Sequence, residues 1–372
     1  MTRIGNLFKS VLGKKKGRIE REWSFNAESS LLSPPVTGRH HDGEQVIIFG
    51  TKDGKVVMLD DKSKIKWTYC VEENLTEVQK LFVDEESSRS IGTSPAYADI
   101  DEDGKKEIIF GSDTGTLHVI SHEGTKLWEF GTHGAIRSSP VVSDINGDGK
   151  KEIIFGSGDR RLYVLDSKGK MLWSFEADSG IEAPPGVIEL KNEKKRVVFG
   201  SNDGTVYCMS SEGKLLWKFE TGAQITAEPA FGKLFGGDDV YIIIGSLDNT
   251  LYALSSSGAL EWKFPTSGSI CSKAALADIN NDQKLEVIFG SCDDNVYALS
   301  ADGNKIWSFE TDFWIVAAPI VVDIDDDGRL EVVVGSYDHS LYVLDAEGSF
   351  LLNYVPGVSA AAHQPGHYSD DL

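Results

Sequence analysis

Residues 136–175 read IRSSPVVSDINGDGKKEIIFGSGDRRLYVLDSKGKMLWSF. The pattern is that of four short strands. IRSSPVVSDI is a first strand, and NGDGKK is the turn that follows it. EIIFGS is a second strand, apolar throughout, as a strand buried on both faces must be. GDR turns the chain into RLYVLD, whose apolar residues alternate with period two. SKGK turns it again into MLWSF, the fourth strand.

The same unit recurs along the chain. The glycine that closes the second strand returns as Gly50, Gly111, Gly156, Gly200, Gly245, Gly290 and Gly335, at steps of 61, 45, 44, 45, 45 and 45 residues. An aromatic residue keeps step with it: Trp67, Trp128, Trp173, Trp217, Trp262, Trp307 and Tyr354. No segment of the array shows a sustained helical period. Four strands in each of seven units predict an all-β protein, a seven-bladed β-propeller of four-stranded antiparallel blades. Trp23 lies in EWSF, a fourth-strand pattern ahead of the first unit. It predicts a strand that pairs with the last blade and closes the ring, in competition with residues 350–355. An irregular eighth blade built from the two ends is the alternative.

Three segments stand outside the repeat. Residues 1–18, MTRIGNLFKSVLGKKKGR, place Ile4, Leu7, Phe8, Val11 and Leu12 on one helical face, and residues 1–22 hold seven Lys/Arg against two Glu. They predict a basic amphipathic segment that contacts an acidic membrane surface or a partner groove. The first step of 61 residues predicts an insert over 70–90, with Leu75, Val78, Leu81 and Phe82 at helical spacing. It lies between a fourth strand and the next first strand, so it decorates the face opposite the first turns. The propeller then covers 19–358, and 359–372 is an acidic tail. With no signal peptide or transmembrane run evident, the expected location is cytoplasmic, with peripheral membrane contact through 1–18.

Composition removes several functions. Lys+Arg 37 against Asp+Glu 58 leaves a net charge of −21, which repels phosphate backbones and disfavours nucleic acid. The four cysteines form no CxxC pair, so there is no zinc signal of that kind. No GxSxG, HExxH or P-loop pattern occurs. Cys271 and Cys292 fall near opposite one another on paired strands, as two free thiols or a cross-strand disulfide. His40 and His41 are adjacent in a turn and read as solvated; His118 falls on a third strand.

The first-to-second turn carries the strongest chemical signal. It reads DIDEDGKKE (99–107), DINGDGKKE (144–152), DINNDQKLE (278–286) and DIDDDGRLE (323–331). Oxygen side chains stand at positions 1, 3, 5 and 9: Asp99, Asp101, Asp103 and Glu107; Asp144, Asn146, Asp148 and Glu152; Asp278, Asn280, Asp282 and Glu286; Asp323, Asp325, Asp327 and Glu331. A hard cation needs six to eight oxygens at about 2.3–2.6 Å, so the turns predict Ca²⁺, with Mg²⁺ the alternative, in a structural role. The third turn is the weakest, because Gln283 replaces Gly where the chain bends left-handed. GRHHDGEQ (38–45), LKNEKKR (190–196) and FGKLFGGDD (231–239) lack the pattern.

These loops, followed by an apolar strand and FGS, resemble the FG-GAP repeat of integrin-α-type propellers. That resemblance implies Ca²⁺ on the same sixteen residues. FGSNDGTVYCMSSEGKLLWKF and FGSGDRRLYVLDSKGKMLWSF resemble pyrroloquinoline-quinone-type propeller repeats, in which the Trp docks between neighbouring blades. Together the resemblances cover about residues 20–355; they bear on fold more than on function.

The Asp after the second strand recurs as Asp53, Asp159, Asp203, Asp248, Asp293 and Asp338, with Thr114 in the remaining unit, and reads as turn chemistry. Residues ahead of each first strand should rim the channel: Leu32, Thr93, Arg137, Glu182, Thr226, Cys271, Phe313, Trp314 and Val316. Arg137, Glu182, Phe313 and Trp314 are the candidate ligand-binding residues. The expected function is a non-catalytic, Ca²⁺-binding scaffold for a protein partner or small ligand at the channel-rim face. The alternatives are a sugar-binding, lectin-like propeller with Trp314 beside Glu182, and a quinone-dependent oxidoreductase.

Overall fold

The computed structural model describes residues 25–71, 89–191, 194–325 and 327–354. Within them lie seven sheets, each of four antiparallel strands in sequence order. Blade 1 is Val36–Arg39, Gln45–Gly50, Lys55–Asp60 and Ile65–Cys70. Blade 3 is Val141–Ser143, Glu152–Gly156, Arg161–Leu165 and Met171–Glu176, and blade 7 is Ile320–Val322, Glu331–Gly335, Leu341–Leu344 and Phe350–Tyr354. Blades 2, 4, 5 and 6 repeat the plan with first strands at Ala96–Ala98, Gly186–Ile188, Ala230–Gly232 and Ala275–Ala277. The seven-bladed propeller read from the repeat is the observed architecture. No helix among the described residues is long and apolar enough to cross a membrane.

The second strands are buried end to end, as EIIFG in blade 3 shows. Those of blades 2 to 6 are sandwiched between two neighbouring blades, so both of their faces need apolar side chains. Fourth strands are half exposed and alternate, as LLWKFE does. Six cores fill the seams between consecutive blades, one per junction from blades 1 and 2 to blades 6 and 7.

Two devices recur at these seams. An isoleucine ahead of the first strand in blades 2 to 7 inserts over the second-strand glycine of the preceding blade. Ile181 lies so close to Gly156 that an added Cβ would sit 2.3 Å from its Cγ2. The tryptophan of the fourth strand in blades 1 to 6 reaches the third-to-fourth turn of the next blade. Trp67 Nε1 donates to the His122 carbonyl at 2.9 Å, Trp173 Nε1 to Ser211 at 2.9 Å and Trp307 Nε1 to Ala346 at 2.9 Å. The large ring is partly buried and its one polar atom is satisfied.

First strands are three or four residues long, shorter than IRSSPVVSDI suggests. The serines ahead of them bond to the neighbouring blade instead of their own. Ser138 Oγ donates to the Ala183 carbonyl at 3.0 Å, and the Ser94 N–H donates to Ser139 Oγ at 2.9 Å.

Of the two segments that compete to close the ring, the structure describes residues 350–354. Residues 350–354 take the fourth position of blade 7. Trp23 lies outside the described residues, as do 1–18, most of the 70–90 insert and 359–372. Phe25, two residues on, rests on Phe49 of blade 1 with centroids 5.9 Å apart. Phe175 rests on Phe199 at 6.1 Å and Phe130 on Phe155 at 6.2 Å, each a fourth-strand ring on the next blade. Phe25 therefore meets blade 1 as the fourth strand of a preceding blade would. At the opposite end, an added Cβ on Gly335 would meet nothing within 4 Å among the described residues. Leu31, the counterpart of the inserted isoleucines, is 47% exposed.

Candidate functional site

Antiparallel order puts the first-to-second and third-to-fourth turns at one end of every blade. The second-to-third turns and the blade-to-blade connections lie at the other. The molecule thus has an acidic-turn face and a connection face, and the candidate residues divide between them.

On the acidic-turn face, four loops share one hydrogen-bond scheme. The position-1 Asp accepts from the position-6 N–H: Gly104 to Asp99 Oδ2 at 3.1 Å, Gly149 to Asp144 at 3.0 Å, Gln283 to Asp278 at 2.9 Å and Gly328 to Asp323 at 3.1 Å. The position-5 Asp accepts from the next but one N–H, as in Lys105 to Asp103 at 2.7 Å. The position-9 Glu is buried and reaches back: Ile100 N–H donates to Glu107 Oε2 and Ile145 N–H to Glu152 Oε2, both at 2.9 Å. Burial raises the pKa of Glu107, Glu152, Glu286 and Glu331 alike.

The four loops then separate into two kinds. Asp99, Asp101 and Glu107 bring one carboxylate oxygen each within 4.8 Å of the others, and Asp323, Asp325 and Glu331 do the same. Asp99 Oδ1 is buried with no hydrogen-bond partner among the described residues. In the other two loops, position 3 is Asn. Asn146 Nδ2 donates to Glu152 Oε1 and Asn280 Nδ2 to Glu286 Oε1, each at 3.0 Å. An amide satisfies the buried glutamate there; a third carboxylate leaves it facing like charge in the first and fourth. At position 3 the sequence treats the four loops as equivalent, because Asn and Asp both offer an oxygen, and it sets only the third apart, at Gln283. Only the packed geometry shows that the Asn donor is spent on Glu. Gln283 has φ +70°, the left-handed conformation expected of its Gly counterparts.

On the connection face, Arg137 and Glu182 meet. Arg137 Nε donates to Asp113 Oδ1 at 3.0 Å, and its Nη1 lies 3.5 Å from Glu182 Oε1. Phe313 and Trp314 stack, with centroids 5.1 Å apart and planes at 16°. They are 44% and 49% exposed. The two pairs belong to the entries of blades 3 and 4 and of blade 7. Trp314 is therefore three blades from Glu182, and the pairing a lectin-like site asks for is not made. Thr93 is a register correction: it is buried, with Oγ1 donating to the Gly111 carbonyl at 3.1 Å, and Gly92 holds the rim position. Tyr337 was not singled out from sequence. Its N–H donates to the Trp314 carbonyl at 2.9 Å, and its side chain is more than half exposed. Other units carry Gly158, Asn202 or Cys292 at its place, which is the signal that was available.

The Cys271 and Cys292 sulfurs are 3.8 Å apart as free thiols. Burial pushes the Cys271 thiol up to about 12. His40 is not solvated. It is buried, and its ring packs on His41 and His122.

The family model of the lambda-carrageenase β-propeller domain matches residues 133–201, 188–261 and 241–357. No curated protein matches the chain. Among solved structures, BamB from Moraxella catarrhalis is similar over 89% of this chain and 88% of its own, at 18% identity and a TM-score of 0.59. BBS1N in complex with ARL6DN, soaked with lead, is similar over 89% and 95%, at 10% identity and a TM-score of 0.55. The mercury-soaked crystal of the same complex gives 12% identity over 89% and 94%, with the same TM-score. At such identities these likenesses show the fold alone. The family matches, by contrast, run together over more than half of the sequence, and the chain belongs to the lambda-carrageenase β-propeller domain family.

Proposed function

We propose that this propeller is a non-catalytic scaffold that docks a protein partner on its connection face and holds Ca²⁺ in its acidic turns. The observation that carries the docking half is the Phe313–Trp314 stack. Other units place Gly134 and Ala135, or Ser179 and Gly180, at these positions. Two large rings stand half exposed where the fold asks for nothing large. Exposed aromatic residues clustered with Tyr337 have the character of an interface hot spot. BBS1N, a similar propeller, is solved in complex with ARL6DN, which supports a role in protein interaction.

The Ca²⁺ half is supported by the crowded carboxylates and the orphaned Asp99 Oδ1. A divalent ion would be held by Asp99, Asp101, Asp103 and Glu107, and by Asp323, Asp325, Asp327 and Glu331. It would supply positive charge that offsets those carboxylates and pins the turn. The loops of Asn146 and Asn280 would bind more weakly. The FG-GAP likeness of the loops agrees with this reading.

A glycan ligand is the second reading. The family model is named for a carrageenase, and stacked rings with a free edge suit the flat face of a sugar. Catalysis is not part of the proposal, because the recurrent aspartates are committed to hydrogen bonds within the fold.

Two measurements test it. Thermal unfolding after chelation should show a Ca²⁺-dependent rise. The rise should shrink sharply in Asp99→Asn/Asp323→Asn and little in Asp144→Asn/Asp278→Asn; no rise in the parent removes the Ca²⁺ half. Phe313→Ser/Trp314→Ser should keep the parent melting temperature and lose a protein recovered by cross-linking with the parent. Recovery of the same protein by both removes the docking half, and loss of glycan-array binding instead favours the sugar.

A further inference from the structure

Blade 1 lacks an acidic turn. In its place, GRHHDGE brings two imidazoles to the same face, where four other blades carry carboxylates. Blade 2 adds a third. His122 sits in its third-to-fourth turn, where other units carry Ser167, Ser211, Ser256, Ala301 or Ala346. Its carbonyl accepts the Trp67 indole N–H at 2.9 Å, the same bond that docks each blade on the next. The fold thus fixes the His122 backbone at the seam between blades 1 and 2, against the turn that carries His40 and His41. That turn is itself closed by the His40 N–H donating to the Glu44 carbonyl at 2.8 Å and the Gly43 N–H to the His40 carbonyl at 2.9 Å.

We propose that His40, His41 and His122 form a binding site for a borderline divalent cation of the Zn²⁺ type, bridging blades 1 and 2. The ring centroids are 4.1 Å apart for His40–His41, 4.8 Å for His41–His122 and 5.7 Å for His40–His122. Three imidazoles on one tetrahedral ion have centroids about 5 Å apart, because each metal–nitrogen bond is about 2.0–2.1 Å. The three observed distances bracket that value. The centroids already stand at this spacing, but the ring nitrogens do not converge as the oxygens of the two carboxylate clusters do, so binding must turn the rings about their side-chain torsions.

The surroundings fit such an ion. His40 Nδ1 lies 2.8 Å from Asp42 Oδ2, which leaves Nε2 as its metal-binding nitrogen. A carboxylate on the far nitrogen is the outer-shell partner that orients metal-bound histidines. The side chains of His40 and His122 are 8% and 10% exposed, so two ligands are already withdrawn from water. His41 is exposed and gives the ion a way in. Glu123 Oε1, 3.8 Å from His122 Nε2, places negative charge beside the site. Imidazole favours Zn²⁺, Ni²⁺ or Cu²⁺ over the hard ions that carboxylate turns take, so the two kinds of turn select different metals.

The test uses the full chain, stripped with chelator and then saturated with Ca²⁺, so that the acidic turns do not contribute. ZnCl₂ is the probe, followed by equilibrium dialysis and by the melting temperature. The parent should retain one further Zn²⁺ per chain and melt several degrees higher. His122→Ser, which restores the residue of other blades, and His41→Ala should each lower Zn²⁺ affinity at least tenfold and abolish the rise. Should His122→Ser fail to fold, the exposed His41→Ala decides alone. No Zn²⁺ retained by the Ca²⁺-saturated parent, or equal retention by the variants, overturns the proposal. Failure of the Ca²⁺ proposal leaves this result standing, since its readout is the Zn²⁺ that depends on histidine.

Discussion

Asp159 and Tyr163 share a hydrogen bond of 2.8 Å from the phenol to Oδ2, and the same oxygen accepts the His133 N–H at 3.0 Å. His133 belongs to the connection that leads into blade 3. One carboxylate thus ties the second-to-third turn of a blade to its own third strand and to the chain arriving from the blade before. Asp203 does this with Tyr207 and the Asp178 N–H, and Asp248 with Tyr252 and the Gly222 N–H. Asp293 with Tyr297, and Asp338 with Tyr342, complete the series.

Asp203→Ala removes the acceptor for three donors: the Tyr207 phenol, the Asp178 N–H and the Thr205 N–H at 2.7 Å. The buried phenol is then left unpaired. The expected loss is about 2–3 kcal/mol in urea unfolding. Burial and the Asp203 carboxylate together hold the Tyr207 pKa at about 12. Ultraviolet titration of the variant should show one tyrosine ionising earlier than in the parent.

Blade 2 departs from this series at both members at once. Thr114 stands in for the Asp and His118 for the Tyr. His118 bonds Ser112 Oγ through Nε2 at 3.2 Å and Glu129 through Nδ1 at 3.1 Å. Burial lowers its pKa, despite the Glu129 carboxylate that favours its charged form. A lowered base binds its proton in the unfolded chain first, so stability is present above about pH 6.5 and falls as pH drops below it. Thr114→Asp/His118→Tyr, which copies the other blades, should flatten urea-unfolding free energies between pH 7 and pH 5. A residual slope of the same sign will remain from His122, whose pKa burial also lowers. An unchanged slope would place the pH dependence elsewhere.

Gly156 and Gly335 occupy one repeat position with opposite surroundings. An added Cβ on Gly156 would lie 2.5 Å from the Ile181 carbonyl oxygen, whereas on Gly335 it would meet nothing within 4 Å among the described residues. Gly156→Ala should cost 1–3 kcal/mol or more, on the order of other overpacked cores. Gly335→Ala should stay within about 0.5 kcal/mol of the parent. A large loss at Gly335 would mean that Leu31 or another side chain fills that seam in solution.

Gln283 is held at φ +70° in a turn whose counterparts are Gly104, Gly149 and Gly328. A left-handed non-glycine residue carries about 1–2 kcal/mol of strain, offset in part by the greater unfolded freedom of glycine. Gln283→Gly should therefore raise stability by about 0.5–1 kcal/mol, read from the urea midpoint at unchanged slope. A drop would show that the Gln283 side chain contributes more than its backbone loses.

The strand order, the blade count and the recurrence of one tryptophan per unit, packed between blades, were legible in the sequence. Each follows from a period of about 45 residues in which apolar strands and turn residues keep step, and that period is a property of neighbouring residues. Even Trp67 and His122, 55 positions apart, meet because the repeat brings them into phase. The tertiary structure decided what depends on the environment of a single site. It divided four similar acidic turns into two pairs, because Asn146 and Asn280 spend their amide protons on a buried Glu while Asp101 and Asp325 have none to give. It gave blade 7 its own fourth strand and left Gly335 uncovered. It also drew His122 onto His40 and His41 across a seam between blades. The sequence shows the residues involved, but their pairing is set by which atoms remain unpartnered once the blades have packed.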